Sequence, residues 1–216
     1  MNLARWVPIS GVLYVILWVV VIFLLDSDPG DSDADIVSWY ADSGNRDQQV
    51  IAFFLVLAAS LCFVWFLSVL RGRLAQAEGT AGTKTALAFG AGLVAVTLWT
   101  IAMTVWMSIS FAVDDSDEFV VDPNTERLFS NFGYALWFGG TTIALLVVLC
   151  TALVGLKGGL IPRWLAWVSV LVAITMLASF TFIPFLIWLG WVLVVSLVWL
   201  FWKPAADAAP SAAPTG

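Results

Sequence analysis

There is no histidine in these 216 residues. That absence removes haem held by an axial histidine, zinc held by imidazole and every mechanism with imidazole as general base. Cysteine is nearly as scarce. Cys62 and Cys150 both lie inside apolar runs and form no CxxC pair, so they read as small packing residues rather than a redox couple. Charge is short as well: 11% of the chain is charged, against about 25% in a soluble domain, and 62% is apolar, against about 45–50%. The nine basic residues make no stripe for a phosphate backbone, so no nucleic-acid partner is expected. No phosphate-loop, dinucleotide-binding or nucleophile-elbow pattern occurs. Gly139-Gly140 and Gly90-x-Gly92 read as packing glycines, and no cofactor is implied.

What is present is a series of apolar runs, with a mean hydropathy of +0.99. Residues 7–25 make a first run of about 29 Å as a helix, enough to cross a bilayer. Arg5, Trp6 and Pro8 flank its start, and no small-residue cleavage site precedes Asp26, so it reads as an uncleaved span. Further spans are expected at residues 49–70, 86–112 and 132–156. The apolar stretch 164–202 is too long for one span and suits two, 164–180 and 184–202, broken at TFIPF because Pro184 disfavours helix at Ile183. The chain thus reads as an all-α, six-span integral membrane bundle in one domain over residues 1–203. An Ala/Pro-rich tail, 204–216, is expected to be disordered.

Two acidic segments punctuate the runs. The first holds Asp26, Asp28, Asp31, Asp33, Asp35, Asp42 and Asp47 against Arg46 alone. Ser32 and Asp33 resemble a helix start, and Ser43-Gly44-Asn45 resembles a stop. Ile36, Val37, Trp39 and Tyr40 fall on one side, so residues 33–42 read as a short amphipathic helix on the outer membrane surface. The second holds Asp114, Asp115, Asp117, Glu118, Asp122 and Glu126 with Arg127; Asp122-Pro123 reads as an N-cap and first helical residue. The linker 74–85, polar and Gly-rich, reads as mobile.

Six spans place Arg5, Arg71, Arg73, Lys84, Lys157, Arg163 and Lys203 on one side and only Arg46 and Arg127 on the other. The positive-inside rule makes the first side cytoplasmic. This predicts a multi-pass plasma-membrane protein with both termini in the cytoplasm.

No charged residue falls within any expected span, which disfavours proton relays, retinal attachment and intramembrane proteolysis. Two constellations remain. Thr97, Thr100, Thr104 and Ser108 recur on one helical face, as a packing surface or, less favoured, a polar path. Asp31, Asp33, Asp35 and Asp42 occupy positions 1, 3, 5 and 12 of a calcium-loop count. Ile36 stands where that loop needs glycine and the expected helix crosses it, so solvated capping acids are favoured over a weak cation site. Among the tryptophans, Trp6, Trp39, Trp164, Trp167, Trp199 and Trp202 read as interface residues. Trp18, Trp65, Trp99, Trp106, Trp137, Trp188 and Trp191 lie deeper, in core, lipid contact or the wall of a cleft. SVLRGRL (68–74) and VGLKGGL (154–160) hint at an internal repeat, although independent basic ends to two spans explain them better.

GGLIPRWLAW (158–167) after a short turn resembles a small-x-x-P-R-W-L-x-W signature of bacterial multi-pass membrane proteins in the DUF4386-like group, a domain of unknown function. The acidic first outer segment and LRGRL (70–74) are similar to that group too. The resemblance implies the six-span layout and carries no activity or catalytic residue. The function expected is a non-enzymatic structural or regulatory protein that binds membrane lipids, a protein partner or a second copy of itself. The alternatives are a small-molecule or lipid transporter using the hydroxyl face, and an outer-surface enzyme or cation-binding protein using the acidic loops.

Overall fold

A computed structural model describes residues 9–25, 29–79, 82–159 and 161–201. The regular elements among them are all helical: α1 (Ile9–Leu24), α2 (Asp33–Ala41), α3 (Ser43–Glu78), α4 (Thr83–Asp115), α5 (Pro123–Gly158), α6 (Arg163–Thr175), a 3-10 turn (Met176–Ala178) and α7 (Ile183–Phe201). Helices α3, α4, α5 and α7 are long and apolar enough to cross a membrane; α1 and α6 are shorter apolar helices. Arg5, Trp6 and Pro8, Asp26 and Asp28, and everything from Trp202 on, including the expected tail, lie outside the described residues.

Local chemistry sets the helix ends. Ser32 Oγ accepts from Asp35 N at 3.1 Å and starts α2 where expected. Asp42 then both ends α2 and caps α3, accepting from Gly44 N at 2.8 Å. Ser43-Gly44-Asn45 is therefore a helix start and not the stop read from the sequence, because one capping aspartate serves two helices and leaves no loop between them. Asp122 Oδ2 accepts from Thr125 N at 3.0 Å ahead of Pro123, as expected. The break between the last two apolar helices comes earlier than expected. α6 tightens into the 3-10 turn at Met176, and α7 already starts at Ile183, with Pro184 in the first turn where its missing N–H costs nothing.

The linker 74–85 is mostly helix. Helix α3 runs to Glu78 and stops at Gly79, and α4 starts after Gly82; both glycines have positive φ, at 79° and 60°. Gly82 offers no capping side chain, so Glu78 reaches across the turn instead. Its carboxylate accepts from Lys84 N (2.9 Å), Thr85 N (2.8 Å) and Thr85 Oγ1 (2.8 Å), with Lys84 Nζ at 3.3 Å. An anion thus sits on the positive end of α4. Burial works against the charged form, but these four donors outweigh it and hold Glu78, beyond the apolar stretch that ends at Leu70, at a pKa of about 2.

Helices α1, α3, α4, α5, α6 and α7 close into a ring. Helix α3 packs on α1 and α4, α4 on α5, α5 on α6, α6 on α7, and α7 returns to α1; α2 lies against α3 and α5. Ring neighbours run antiparallel. Tyr14 meets Phe63 and Trp188, Leu67 meets Gly92, and Trp191 meets Ser169. The centre is filled by aromatic rings. Trp99 lies 5.3 Å from Phe185, 5.8 Å from Trp188 and 6.3 Å from Phe63, centroid to centroid. Helix α5 accepts two α4 rings at its glycines: a Cβ on Gly140 would fall 2.8 Å from Trp99 Nε1, and one on Gly133 would collide with Trp106. Outward positions are apolar too, with Phe23 77% and Leu61 74% exposed, as a lipid-facing surface requires. Trp199, expected in an interface belt, is instead buried, stacked on Phe66 with the Arg73 guanidinium 4.6 Å from its ring centre.

The clasp at Glu78 is testable through pH. Its folded pKa lies below the ordinary value of 4.5, so its stabilisation is complete above about pH 4.5 and is lost as pH falls through about 2. Glu78→Gln should therefore lower the melting temperature in detergent at pH 7, and the gap to the parent chain should close between pH 4.5 and 2. A gap that is absent at pH 7, or unchanged at low pH, would show that the clasp contributes nothing.

Candidate functional site

The α6–α7 hairpin is short, and its shortness makes the site. Thr142 Oγ1 and Ser179 Oγ lie 2.7 Å apart, which pins the hairpin turn beside the middle of α5. Thr142 is nineteen residues into α5 from Pro123, about 28 Å at 1.5 Å per residue. Beyond the turn, α1, α4 and α5 continue toward the acidic end of the bundle with no hairpin beside them.

Two adjoining cavities occupy this recess. The lower, about 410 Å³, is walled by Trp18 and Ile22 of α1, Trp137 and Phe138 of α5, and Phe180 and Phe182 of the turn. The upper, about 430 Å³, is walled by Trp39 and Tyr40 of α2, Gln49 of α3, and Glu126, Arg127 and Asn131 of α5. Leu25, Met103, Trp106 and Tyr134 line both, so the two adjoin, the lower walled mainly by aromatic side chains and the upper carrying more polar ones. Each lies in the about 300–1,000 Å³ range of small-molecule sites.

Ion pairs hold the upper walls. Arg46 bonds Asp114 at 2.7 Å and the Tyr40 carbonyl at 2.6 Å, joining α2, α3 and α4. Arg127 bonds Asp33 at 2.7 Å and the Asp31 carbonyl at 2.9 Å, tying α5 to the start of α2. Ile36 and Tyr40 of α2 are buried against Ile109, with Val113, Val121 and Phe129 around them. The apolar side of α2 therefore faces the ends of α4 and α5, which present apolar side chains to it. Gln49 accepts from Ser110 Oγ at 2.5 Å beneath it. Burial, and then the nearby charge of Glu126, push the Tyr40 hydroxyl up to about 12.

Three polar groups stand out. Glu126 is buried, at 7% exposure, accepts from Ser130 Oγ at 2.9 Å, and belongs to none of the ion pairs among the described residues. The indole N–H groups of Trp39 and Trp137 are buried without an acceptor. Trp199, which lines neither cavity, has an unpaired indole N–H as well, whereas Trp99, Trp106, Trp188 and Trp191 donate to Thr141, the Ser130 carbonyl, Tyr14 and Ser169.

The residues singled out in the sequence lie elsewhere or serve other ends. Thr97, Thr104 and Ser108 each donate to the carbonyl four residues back. Thr100 does the same and also meets Ser60 at 3.0 Å. Thr97 and Thr104 are exposed on the outside of the ring, and none of the four lines either cavity. Helix α2 runs through the calcium-loop count. Asp33 pairs with Arg127, Asp35 accepts from Ser32 Oγ, Asp42 caps α3, and only Asp31 borders the upper cavity. Among the described residues no three Asp, Glu or Cys side chains converge as a metal site. Sequence reasoning missed Gln49 and Glu126 as lining residues, whereas Trp137 is among the tryptophans for which a cleft wall is one reading. A signal existed for Glu126: once α5 starts at Pro123, Glu126, Ser130, Tyr134 and Trp137 form one helical stripe at spacings of 4, 4 and 3.

Two hydroxyls in α4 separate the load-bearing polar contacts from the idle ones. Ser110→Ala should cost about 1–3 kcal/mol by stranding the buried Gln49 oxygen. Ser108→Ala removes only a bond to its own helix and should change stability by less than about 0.5 kcal/mol. Reversible unfolding in mixed micelles measures both, and equal costs would refute the distinction. In comparisons with known proteins, no family model, no curated protein and no solved structure matches this chain.

Proposed function

We propose that the chain is a six-span, non-enzymatic membrane protein that binds an amphipathic molecule of the lipid class in the recess at its acidic end. One observation carries this reading: two adjoining cavities share four lining residues, the lower aromatic and the upper more polar, an order that suits a chain with a head. Phe180 and Phe182, both well exposed, give the lower cavity a side open toward lipid.

Binding is favoured over transport. The hydroxyl face lies outside the ring, and below the recess the centre is packed with Trp99, Trp188, Phe63 and Phe66. Binding is also favoured over surface catalysis, since most of the acids that sequence spacing grouped are engaged in caps and ion pairs. The ring supports a reading of six spans, since α1 and α6, shorter apolar helices, stand between longer apolar neighbours. The positive-inside rule then sets the basic end, with both termini, in the cytoplasm of a cell bounded by this plasma membrane.

Two measurements test the reading. In a chain whose Cys62 and Cys150 are replaced by alanine, Ser116→Cys should react with a membrane-impermeant thiol reagent in intact cells. Protection until lysis would invert the topology. Native mass spectrometry of the gently extracted protein should show a retained amphiphile, and Ile22→Trp, which narrows the lower cavity, should remove it. A parent chain that carries no amphiphile, or a variant that carries as much, would overturn the binding reading.

A further inference from the structure

The upper cavity has the means to choose the charge of the head it receives. We propose that this head is an ammonium group, seated against the Glu126 carboxylate and enclosed by the rings of Trp39, Tyr40, Trp106 and Tyr134. The inference rests on the amphiphile-binding reading above and adds the chemical class of the ligand.

Glu126 is the buried charged group that the upper cavity has to accommodate. A buried carboxylate is stabilised by a counter-charge or several donors, and Glu126, at 7% exposure, has among the described residues one donor, the Ser130 hydroxyl. The two arginines at this end are committed elsewhere, Arg46 to Asp114 and Arg127 to Asp33. The cavity around Glu126 is aromatic. Trp39 meets Tyr40 edge to face at 4.8 Å, and Trp106 meets Tyr134 edge to face at 5.1 Å. Rings set at such angles present both faces and edges to one space, and a cation is attracted to the faces within about 6 Å. The Trp106 N–H is already spent on the Ser130 carbonyl, so that indole offers the cavity its ring rather than its donor.

Other heads fit worse. A sulfate or phosphate would be repelled by Glu126 and by the acidic segments on either side, 29–47 and 114–126. A neutral sugar head would leave Glu126 without a counter-charge. The ammonium carries its chain downward past Met103 and Tyr134 into the lower cavity, between α1 and α5.

Full-length protein in phosphatidylglycerol nanodiscs provides the test. Three probes share a brominated dodecyl chain, which quenches nearby tryptophan, and differ in their heads: trimethylammonium, sulfate and maltoside. With partitioning corrected on empty discs, the ammonium probe should quench at about tenfold lower concentration than the other two. Glu126→Gln should abolish this preference while leaving quenching by the maltoside unchanged. If that variant fails to fold, Tyr134→Leu, at an exposed position, should still reduce the preference severalfold. Equal quenching by all three probes, a preference for sulfate, or preference retained in the variants would overturn the inference while leaving amphiphile binding intact. Absence of specific quenching by every probe would instead remove the binding reading beneath it. Competition by phosphatidylethanolamine added to the discs would assign the head to a membrane aminophospholipid. Its failure to compete would assign it to a free amphiphilic amine.

Discussion

Trp99 is the contact on which the ring depends. Its indole sits 1% exposed at the meeting of α3, α4, α5 and α7 and touches Phe63, Trp137, Phe185 and Trp188. It reaches that position because α5 has no side chain at Gly140, which lets α4 approach closely. Packing of this kind carries particular weight in a membrane, where the lipid is as apolar as the side chains and burial alone gives little reason for helices to associate. Indole N–H groups placed in such a core need partners. Trp99, Trp188 and Trp191 find theirs in Thr141, Tyr14 and Ser169, which locks the rings in rotation as well as in depth.

The recess follows from what the ring leaves out. Below Trp137 every neighbouring helix is present; above it the α6–α7 hairpin has already turned back, held at the Thr142–Ser179 contact. The space is kept from collapsing by the charges at the acidic end. Arg46 and Arg127 are each bonded to an aspartate and to a backbone carbonyl, and so hold α2 over the opening from both sides. The same commitment leaves Glu126 without a cation. Charges that look surplus in the sequence thus divide into those that fasten the roof and one that faces the cavity beneath it.

Apolar periodicity and capping chemistry made much of the layout legible in advance. Ser32 and Asp122-Pro123 mark helix starts that fall where expected, because an N-cap is a local interaction among residues three apart. Local rules failed where one residue served two elements or reached across a turn. Asp42 joined α2 to α3 without a loop, and Glu78 turned a Gly-rich linker into a clasp. The hydroxyl stripe of α4 illustrates another limit: spacing showed that Thr97, Thr100, Thr104 and Ser108 share a face, but not whether it points to lipid or to the centre.

By itself the sequence determined that the chain is helical and apolar enough for a membrane, where most helices begin and end, and at which end each sign of charge collects. These properties follow from hydropathy, backbone hydrogen bonding and charge counts along the chain. Tertiary structure alone decided which faces meet, that the last hairpin stops short, and that Glu126 and Gln49 line one cavity while Trp137 lines the one adjoining it. Those outcomes depend on contacts between residues tens of positions apart, such as Thr142 with Ser179 and Gln49 with Ser110, which no periodicity in the chain records.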